Sequence, residues 1–433
     1  MQRYRDRLDW LLQVAYTTWR LFNRNGLTNH AAATAFYFLL SATPLLLLLT
    51  YAIQWLAGFA VHSVPATILL AALYQQFRLD TLSEMGLIPR HAMLGAGSVG
   101  LITLLLASRK LVHAMEGAFK VIFPEEGKRR FVVSWTLPFI VIPIAFLLVG
   151  LAVAAQGALD FLVQAEIMGA GRGLLLSVLN VLLMFGTVWT LVLVAYWRMP
   201  LMHPRLRQAA LLALLSTLTL YLLFTLFGVF FQVEHYRSVY GALGGVVFVL
   251  IAAYFSFVAF YLWAQCLYAL SKVDVAALEK LFLGGSGEGA NKLEGFVFGR
   301  ANRLLAKYGK TFAAGTEIIR EGDDTKTAFF LYAGRVGLTK QVNGERRPLT
   351  ELGEGELFGE MAYLLGEKRT ATVTALTEVV VLALPPEMLE ELMRYSAPLS
   401  RHIIATLCQR LMHMNEMGSE AGAASMTAEP GRR

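Results

Sequence analysis

Between residues 353 and 375 a glycine, a carboxylate and a guanidinium group occur at a fixed spacing. Phe358-Gly359-Glu360 is followed, nine residues after the glutamate, by Arg369-Thr370-Ala371. Met361 and Ala362 open a short predicted helix whose first turn offers free N–H groups, a natural site for an anion. A lone Phe-Gly-Glu is a weak signal. The glutamate and the arginine in register, inside a strand-rich region, form a specific one.

These two motifs resemble the phosphate-binding cassette of cyclic-nucleotide-binding domains. In that family the glycine lets the backbone approach the phosphate, the glutamate accepts from the ribose 2′-hydroxyl, and the arginine forms a charge-assisted pair with the cyclic phosphate. A threonine after the arginine can bond the guanine 2-amino group, which favours cyclic GMP, but cyclic-AMP binders also carry it. The resemblance implies cAMP or cGMP as ligand and these contact residues: Phe358, Gly359, Glu360, Met361, Ala362, Arg369, Thr370 and Ala371.

The elements around the cassette are short strands separated by turns, followed by two helices. Period-2 patterns and turn residues predict strands at 317–320, 328–332, 336–341, 347–352, 373–375 and 379–383. Helices are predicted at 386–395 and from Pro398, where Leu399, Ile403, Leu407 and Leu411 repeat every four residues. In the family the last helix folds over the base as a lid. This predicts an α+β domain at 293–417 with a cupin-like jelly roll (β-roll), and a disordered tail at 418–433.

The composition of the whole chain indicates a membrane protein. Of its 433 residues, 56% are hydrophobic and only 16% are charged, whereas soluble domains have about 45–50% apolar and about 25% charged residues. The net charge of +7 comes from basic residues beside apolar spans, as the positive-inside rule predicts, so no nucleic-acid partner is expected. Cys266 and Cys408 provide no disulfide framework or Cys-based zinc site.

Hydrophobic runs of about 20 residues mark crossings of a lipid bilayer. We predict a helical polytopic domain at 31–272 with six crossings, at 31–58, between Arg90 and Arg109, and at 131–155, 173–197, 207–231 and 240–270. Basic residues concentrate on the loops of one side, which places both termini in the cytoplasm. Residues 1–30 are predicted as an interfacial amphipathic helix, with Leu8, Leu11, Leu12, Ala15, Trp19, Leu21 and Phe22 at helical spacing. Residues 273–292 are predicted as a linker, a short helix followed by a Gly-rich stretch.

Two motifs in this part resemble the BrkB/YihY family of bacterial inner-membrane proteins, once labelled ribonuclease BN. The first is AATAFYFLLSATP at residues 32–44, and the second is YRSVYGALGG at residues 236–245. The resemblance covers about residues 15–272. It departs at Gln265, where the family carries a glutamate, so an ion- or proton-coupled role at that position is in doubt.

Three classes of function compete. The first is a transporter-like or envelope-related membrane protein regulated by a cyclic nucleotide. A cyclic-nucleotide-gated channel is the alternative, but the chain has neither an Arg-repeat sensor nor a Thr-Val-Gly-Tyr-Gly filter. An enzyme would need clustered metal ligands or acid–base residues, and no catalytic or metal-ligating set is predicted. A further alternative is a degenerate sensor domain that acts only as an oligomerisation or interaction module. A homo-oligomer is also possible, because sensors of this family often form dimers or tetramers.

Polar side chains in the spans are the remaining functional candidates of the membrane part. They usually bond across helices and sometimes line a pathway. These residues are Asn180, Thr187, Gln265, Gln54, Ser41 and Thr34.

Overall fold

The computed structural model describes residues 2–41, 96–124, 170–200, 204–230, 243–284, 302–342, 345–409 and 412. The chain divides into two compact units. The helical unit is Thr18–Leu270, and the roll unit combines Met1–Thr17 with Ser271–Arg433.

Six long helices in the described part of the chain lie wholly or partly in the helical unit. They are α1 (Gln2–Arg24), α2 (27–41), α3 (Ala96–Ile122), α4 (Ala170–Arg198), α5 (Leu206–Phe230) and α6 (Leu243–Gly284). Of these, α1 begins and α6 ends in the roll unit. Among the described residues, three segments are long and apolar enough to cross a membrane, Val181–Arg198, Leu206–Phe227 and Val246–Leu283. They match the fourth, fifth and sixth predicted crossings. The third, and the first beyond residue 41, lie outside the described residues, so the total of six stays a prediction.

Aromatic side chains dominate the core of the helical unit. Tyr196, Phe260 and Tyr261 are buried together, and the rings of Tyr196 and Phe260 lie 5.1 Å apart. The Tyr196 hydroxyl donates to the Phe260 carbonyl at 2.7 Å, and its oxygen accepts from the Ser216 hydroxyl at 3.1 Å. By contrast, large apolar side chains such as Leu182 and Leu222 are 60% and 57% exposed. Helices that are apolar on their outer faces as well as inside are typical of membrane spans.

Helix α1 carries apolar residues on its exposed face. Leu8 is 59% exposed and Trp19 is 62% exposed, whereas Gln13 on another face is buried. Leu21 and Phe22, which the predicted spacing grouped with the apolar face, are buried instead. The helix ends at Arg24, and Gly26 with φ of 59° makes the turn into α2. Residues 1–30 are therefore not one helix, and the interfacial position of α1 stays a prediction.

Two four-stranded antiparallel sheets form the roll. The strands are β1 (Gly309–Phe312), β2 (Glu317–Ile319), β3 (Ala328–Ala333), β4 (Val336–Val342), β5 (Glu345–Leu352), β6 (Leu357–Phe358), β7 (Thr372–Ala375) and β8 (Val379–Leu384). The sheet orders are β1-β8-β3-β6 and β2-β7-β4-β5. The six predicted strands are present with ends shifted by at most two residues. Strands β1 and β6 were not predicted.

The alternation of side chains along the strands separates two cores. On β3, Phe329 and Leu331 belong to the core inside the roll, with Val373 of β7. Ala328 and Phe330 point to the other face, where they pack with residues of the helices. These helices are α7 (Asn302–Tyr308), α8 (Met361–Leu364), α9 (Pro386–Tyr395) and α10 (397–409).

Helix α6 extends beyond the predicted start of the linker. It is continuous to Gly284, and from Ser271 onward it belongs to the roll unit. Val275, Leu278 and Phe282 are buried in the core between the roll and its helices, which is why this stretch stays helical and packed. The predicted short helix of the linker is therefore the end of α6, and it is packed in the roll unit. The predicted Gly-rich stretch lies outside the described residues, and its role as a linker stays a prediction.

Candidate functional site

The predicted cassette lines a cavity of about 450 Å³ in the roll unit. This volume is within the range of about 300–1,000 Å³ that small-molecule sites occupy. All eight residues predicted from the sequence lie on its wall: Phe358, Gly359, Glu360, Met361, Ala362, Arg369, Thr370 and Ala371. Their contacts with a nucleotide stay a prediction.

Gly359 occupies a position that only glycine fits. Its φ is 76°, a left-handed conformation that is unfavourable for residues with a Cβ. A Cβ built here would lie 2.7 Å from Arg369 Nη1 and 2.9 Å from Ile319 Cδ1. The missing side chain therefore leaves the space that the guanidinium occupies.

The Arg369 side chain is held by three neutral oxygen atoms. Nε donates to Thr325 Oγ1 at 2.9 Å, Nη1 to the Gly359 carbonyl at 2.5 Å, and Nη2 to the Thr327 carbonyl at 2.7 Å. Its backbone is also anchored, because the Arg369 N–H donates to the Asp323 carbonyl at 2.9 Å. A guanidinium has five N–H donors, so within the described residues two remain to bind a ligand. The arrangement holds the planar group in one orientation before any ligand arrives.

The electrostatics of the site favour an anionic ligand. Arg369 is only 4% exposed, and burial lowers the pKa of its guanidinium, while the Asp323 and Glu360 carboxylates act in the opposite direction. A buried cation whose hydrogen-bond partners are neutral is stabilised by an incoming anion. Glu360 is 2% exposed and lies directly before α8, so the cavity wall offers a carboxylate acceptor beside a guanidinium donor.

Another part of the wall comes from residues that the sequence analysis did not assign to the site. Strand β5 contributes Leu349–Leu352 and helix α10 contributes Thr406 and Gln409. Thr406 donates its hydroxyl proton to the His402 carbonyl at 2.9 Å, which leaves the oxygen lone pairs as acceptors. The predicted lid helix thus reaches the cavity. No local signal distinguishes these residues, because only the fold brings them to the cassette.

Leu338 has two roles that the sequence could not separate. The structure packs it, partly buried, against the core inside the roll and also places it on the cavity wall.

The polar candidates of the helical unit are mostly engaged within their own helices. Thr187 donates to the Leu183 carbonyl at 2.8 Å and Ser41 to the Phe38 carbonyl at 2.8 Å. Thr34 bonds the Tyr261 hydroxyl at 2.8 Å, a contact between helices. Gln54 and the side chain of Asn180 lie outside the described residues.

Gln265 forms a hydrogen bond with Asn25, which the sequence analysis did not single out. Gln265 Oε1 accepts from Asn25 Nδ2 at 3.0 Å, and Asn25 Nδ2 also donates to the Val121 carbonyl at 3.3 Å. A neutral glutamine thus ties α6 to the α1–α2 turn, and Asn25 in that turn ties it to the end of α3. This contact favours a structural role for the residue that replaces the family's glutamate.

Comparisons with known proteins agree with the two-part organisation. A family model described as Cyclic nucleotide-binding domain matches residues 309–396, and one described as Virulence factor BrkB matches residues 18–280. The chain is 45% identical over 71 residues to a cyclic nucleotide-gated potassium channel of Rhizobium etli, covering 16% of this chain and 19% of the channel. It is 32% identical over 103 residues to the Cyclic AMP receptor protein of Thermus thermophilus, covering 24% of this chain and 48% of that protein.

The chain thus spans less than half the length of each of these two relatives. Among solved structures, the Catabolite Activator Protein of Thermus thermophilus is 26% identical, with 33% of this chain and 63% of that chain covered and a TM-score of 0.26. The BrkB model covers more than half of the 433 residues. The chain therefore belongs to the Virulence factor BrkB family and carries a cyclic nucleotide-binding domain at residues 309–396.

Proposed function

We propose that this chain is an inner-membrane protein, transporter-like or envelope-related, whose activity is regulated by cAMP or cGMP bound in the roll cavity. The observation that carries the proposal is the Arg369 guanidinium, buried and oriented on the cavity wall with N–H donors left for a ligand. The cassette residues on the same wall supply the other contacts that the family resemblance implies.

In this proposal each part of the cavity binds one part of the nucleotide. The two remaining N–H groups of Arg369 donate to the cyclic phosphate, and the anion offsets the cost of the buried cation. Gly359 allows the phosphate to approach the backbone, and the Glu360 carboxylate accepts from the ribose 2′-hydroxyl. Thr370, Thr406 and Gln409 also line the cavity and are the polar groups that we assign to the base.

The membrane half responds to this binding in the proposal and performs no catalysis. Both termini lie in the cytoplasm, where cyclic nucleotides are available, and the helical unit sits in the lipid bilayer. Regulation requires that the nucleotide bind two arrangements of the protein with different affinity. The transported solute or envelope partner belongs to the helical unit and is independent of the site described above.

Calorimetry with the full-length protein in lipid nanodiscs tests the proposal. Titration with cAMP and with cGMP should show saturable binding of at least one of them. Arg369→Ala should weaken it at least about 100-fold, since two charge-assisted hydrogen bonds contribute about 1.5 kcal/mol each and about 1.4 kcal/mol corresponds to a factor of ten. Arg320→Ala is the matched control, because this arginine is 72% exposed and pairs with Glu317 on the surface.

Two results would contradict the proposal. Equal binding by the parent and Arg369→Ala would exclude the cassette as the nucleotide site. A folded parent protein that binds neither nucleotide would instead favour the alternative, in which the roll is an interaction module.

A further inference from the structure

Helix α6 is the last apolar helix of the chain's described part, and it ends inside the hydrophobic core of the roll unit. We name its final residues, 271–284, the coupling segment, and by the last apolar helix we mean its residues 243–270. In the coupling segment, Val275, Leu278 and Phe282 are 1%, 0% and 7% exposed, and their spacing places them on one face of α6. They share a core with Leu389 of α9 and Leu399 of α10. The coupling segment is therefore a packed helix of the roll unit and also the continuation of the last apolar helix.

A short series of contacts links the coupling segment to the cassette. The rings of Phe282 and Phe330 lie 4.3 Å apart. Phe330 of β3 is paired in register with Leu357 of β6, and Leu357 directly precedes the cassette residue Phe358. In addition, Tyr363 of α8, the cassette helix, packs against the same core. Because these side chains are close-packed, a displacement of the cassette would also displace the side chains of the coupling segment.

Ion pairs provide a second route, through the helices after the roll. Lys272 Nζ lies 2.5 Å from Glu391 Oε1 on α9, and α9 leads into α10, which carries Thr406 and Gln409 on the cavity wall. Asp274 pairs with Arg303 at 2.6 Å and with Lys307 at 2.5 Å. These contacts hold both sides of the coupling segment to helices of the roll unit.

We infer that the coupling segment transmits nucleotide occupancy directly to the last apolar helix, and this inference rests on the proposed function. The segment has no proline, and no glycine before Gly284, so its helical hydrogen bonds continue without a flexible joint. A change in packing around Phe282 or in the Lys272–Glu391 pair therefore reaches residues 243–270 along the hydrogen bonds of one continuous helix. Because coupling is reciprocal, the state of the last apolar helix also alters nucleotide affinity.

Hydrogen exchange measured by mass spectrometry on the full chain in nanodiscs tests this inference. Exchange is compared without nucleotide and with saturating cAMP or cGMP, and calorimetry on the same sample reports binding. In the parent, nucleotide should slow exchange of amides in both 243–270 and 271–284. In Lys272→Glu, which lies outside the cavity wall, binding should persist within about fivefold while the nucleotide-dependent change in 243–270 falls by at least half.

Three further variants separate coupling from misfolding. The charge exchange Lys272→Glu with Glu391→Lys should restore the nucleotide-dependent change, and Lys310→Glu, an exposed charge reversal on β1, should leave it unaltered. Insertion of four glycines between Ser271 and Lys272 interrupts the helix. It should preserve binding and the change in 275–284 but abolish the change in 243–270.

The outcomes distinguish the inference from the proposed function. Binding in the parent without any change in 243–284 overturns the inference and leaves the proposed function standing. The inference is also overturned if the glycine insertion or Lys272→Glu transmits the change as well as the parent does. Absence of binding in the parent overturns the proposed function, and the inference with it.

Discussion

Replacement of Gly359 by alanine measures how tightly the cassette is built around Arg369. The new methyl group would lie 2.7 Å from Arg369 Nη1, 2.9 Å from Ile319 Cδ1 and 3.2 Å from the Thr327 carbonyl. The left-handed backbone costs a non-glycine residue about 1–2 kcal/mol, and overpacking adds about 1–3 kcal/mol. We therefore expect the roll unit to lose about 2–5 kcal/mol of unfolding free energy.

The effect on binding follows from the arginine. To admit the methyl group, Nη1 must move away from the Gly359 carbonyl, and the guanidinium then no longer presents its remaining donors to a phosphate. Loss of one charge-assisted hydrogen bond costs about 1.5–3 kcal/mol, which corresponds to an affinity about 10- to 100-fold weaker. Pulse proteolysis in urea reports the stability of the roll unit, and calorimetry reports the affinity.

Gly366→Ala is the matched control for this substitution. Its φ is 73°, close to that of Gly359, but a Cβ there would meet open space. Gly366→Ala should lower the free energy of unfolding only by the cost of the left-handed backbone, about 1–2 kcal/mol, and should leave the affinity for nucleotide unchanged. Equal losses of stability and unchanged affinity in both variants would refute the close-packing argument for Gly359.

Three other substitutions test the base contact and the two cores. Thr370→Ala should weaken cGMP binding about 3- to 10-fold, because one neutral hydrogen bond is lost, and should leave cAMP binding unchanged. Thr350→Ala is the control, since Thr350 is also on the cavity wall. Equal losses of affinity for both nucleotides in Thr370→Ala would contradict the guanine contact. Tyr196→Phe removes the two buried hydrogen bonds of this hydroxyl, with the Phe260 carbonyl and with Ser216 Oγ, and should cost about 1–3 kcal/mol in detergent unfolding. Tyr221→Phe is the control, because this side chain is 58% exposed and loss of its hydroxyl should have no measurable effect on stability. Leu331→Ala should destabilise the roll by about 2–5 kcal/mol in urea, and a loss no larger than that of exposed Leu376→Ala would argue against its burial.

The cassette could be recognised from the sequence because its parts are close along the chain. Phe358 to Ala371 is a single stretch. A glycine, a glutamate and an arginine at fixed spacing within it predict an anion-binding site without any knowledge of the fold. The same holds for the strands around it and for the apolar helices α4, α5 and α6, whose patterns are local. Strands β1 and β6 were missed because β1 follows directly on a helix and β6 has only two residues, too short for a period to show.

The distant residues that complete the site could be identified only from the fold. Two of the three oxygen atoms that orient Arg369 belong to Thr325 and Thr327, more than 40 residues earlier in the chain. Thr406 reaches the cavity because α10 packs its Leu399 and Ile403 into the outer core of the roll.

The coupling segment shows the same division between local and distant information. A helical stretch followed by a Gly-rich run predicts a linker, and nothing near residue 275 in the sequence indicates a partner. The burial of Val275, Leu278 and Phe282 depends on strands and helices further along the chain, from Leu304 to Ile403. An apolar helical part and a cassette that can bind an anion follow from the amino-acid sequence alone, because both depend on local patterns. Which residues pack around the cassette and the coupling segment follows only from the fold, because packing depends on pairs of residues that are close only in space.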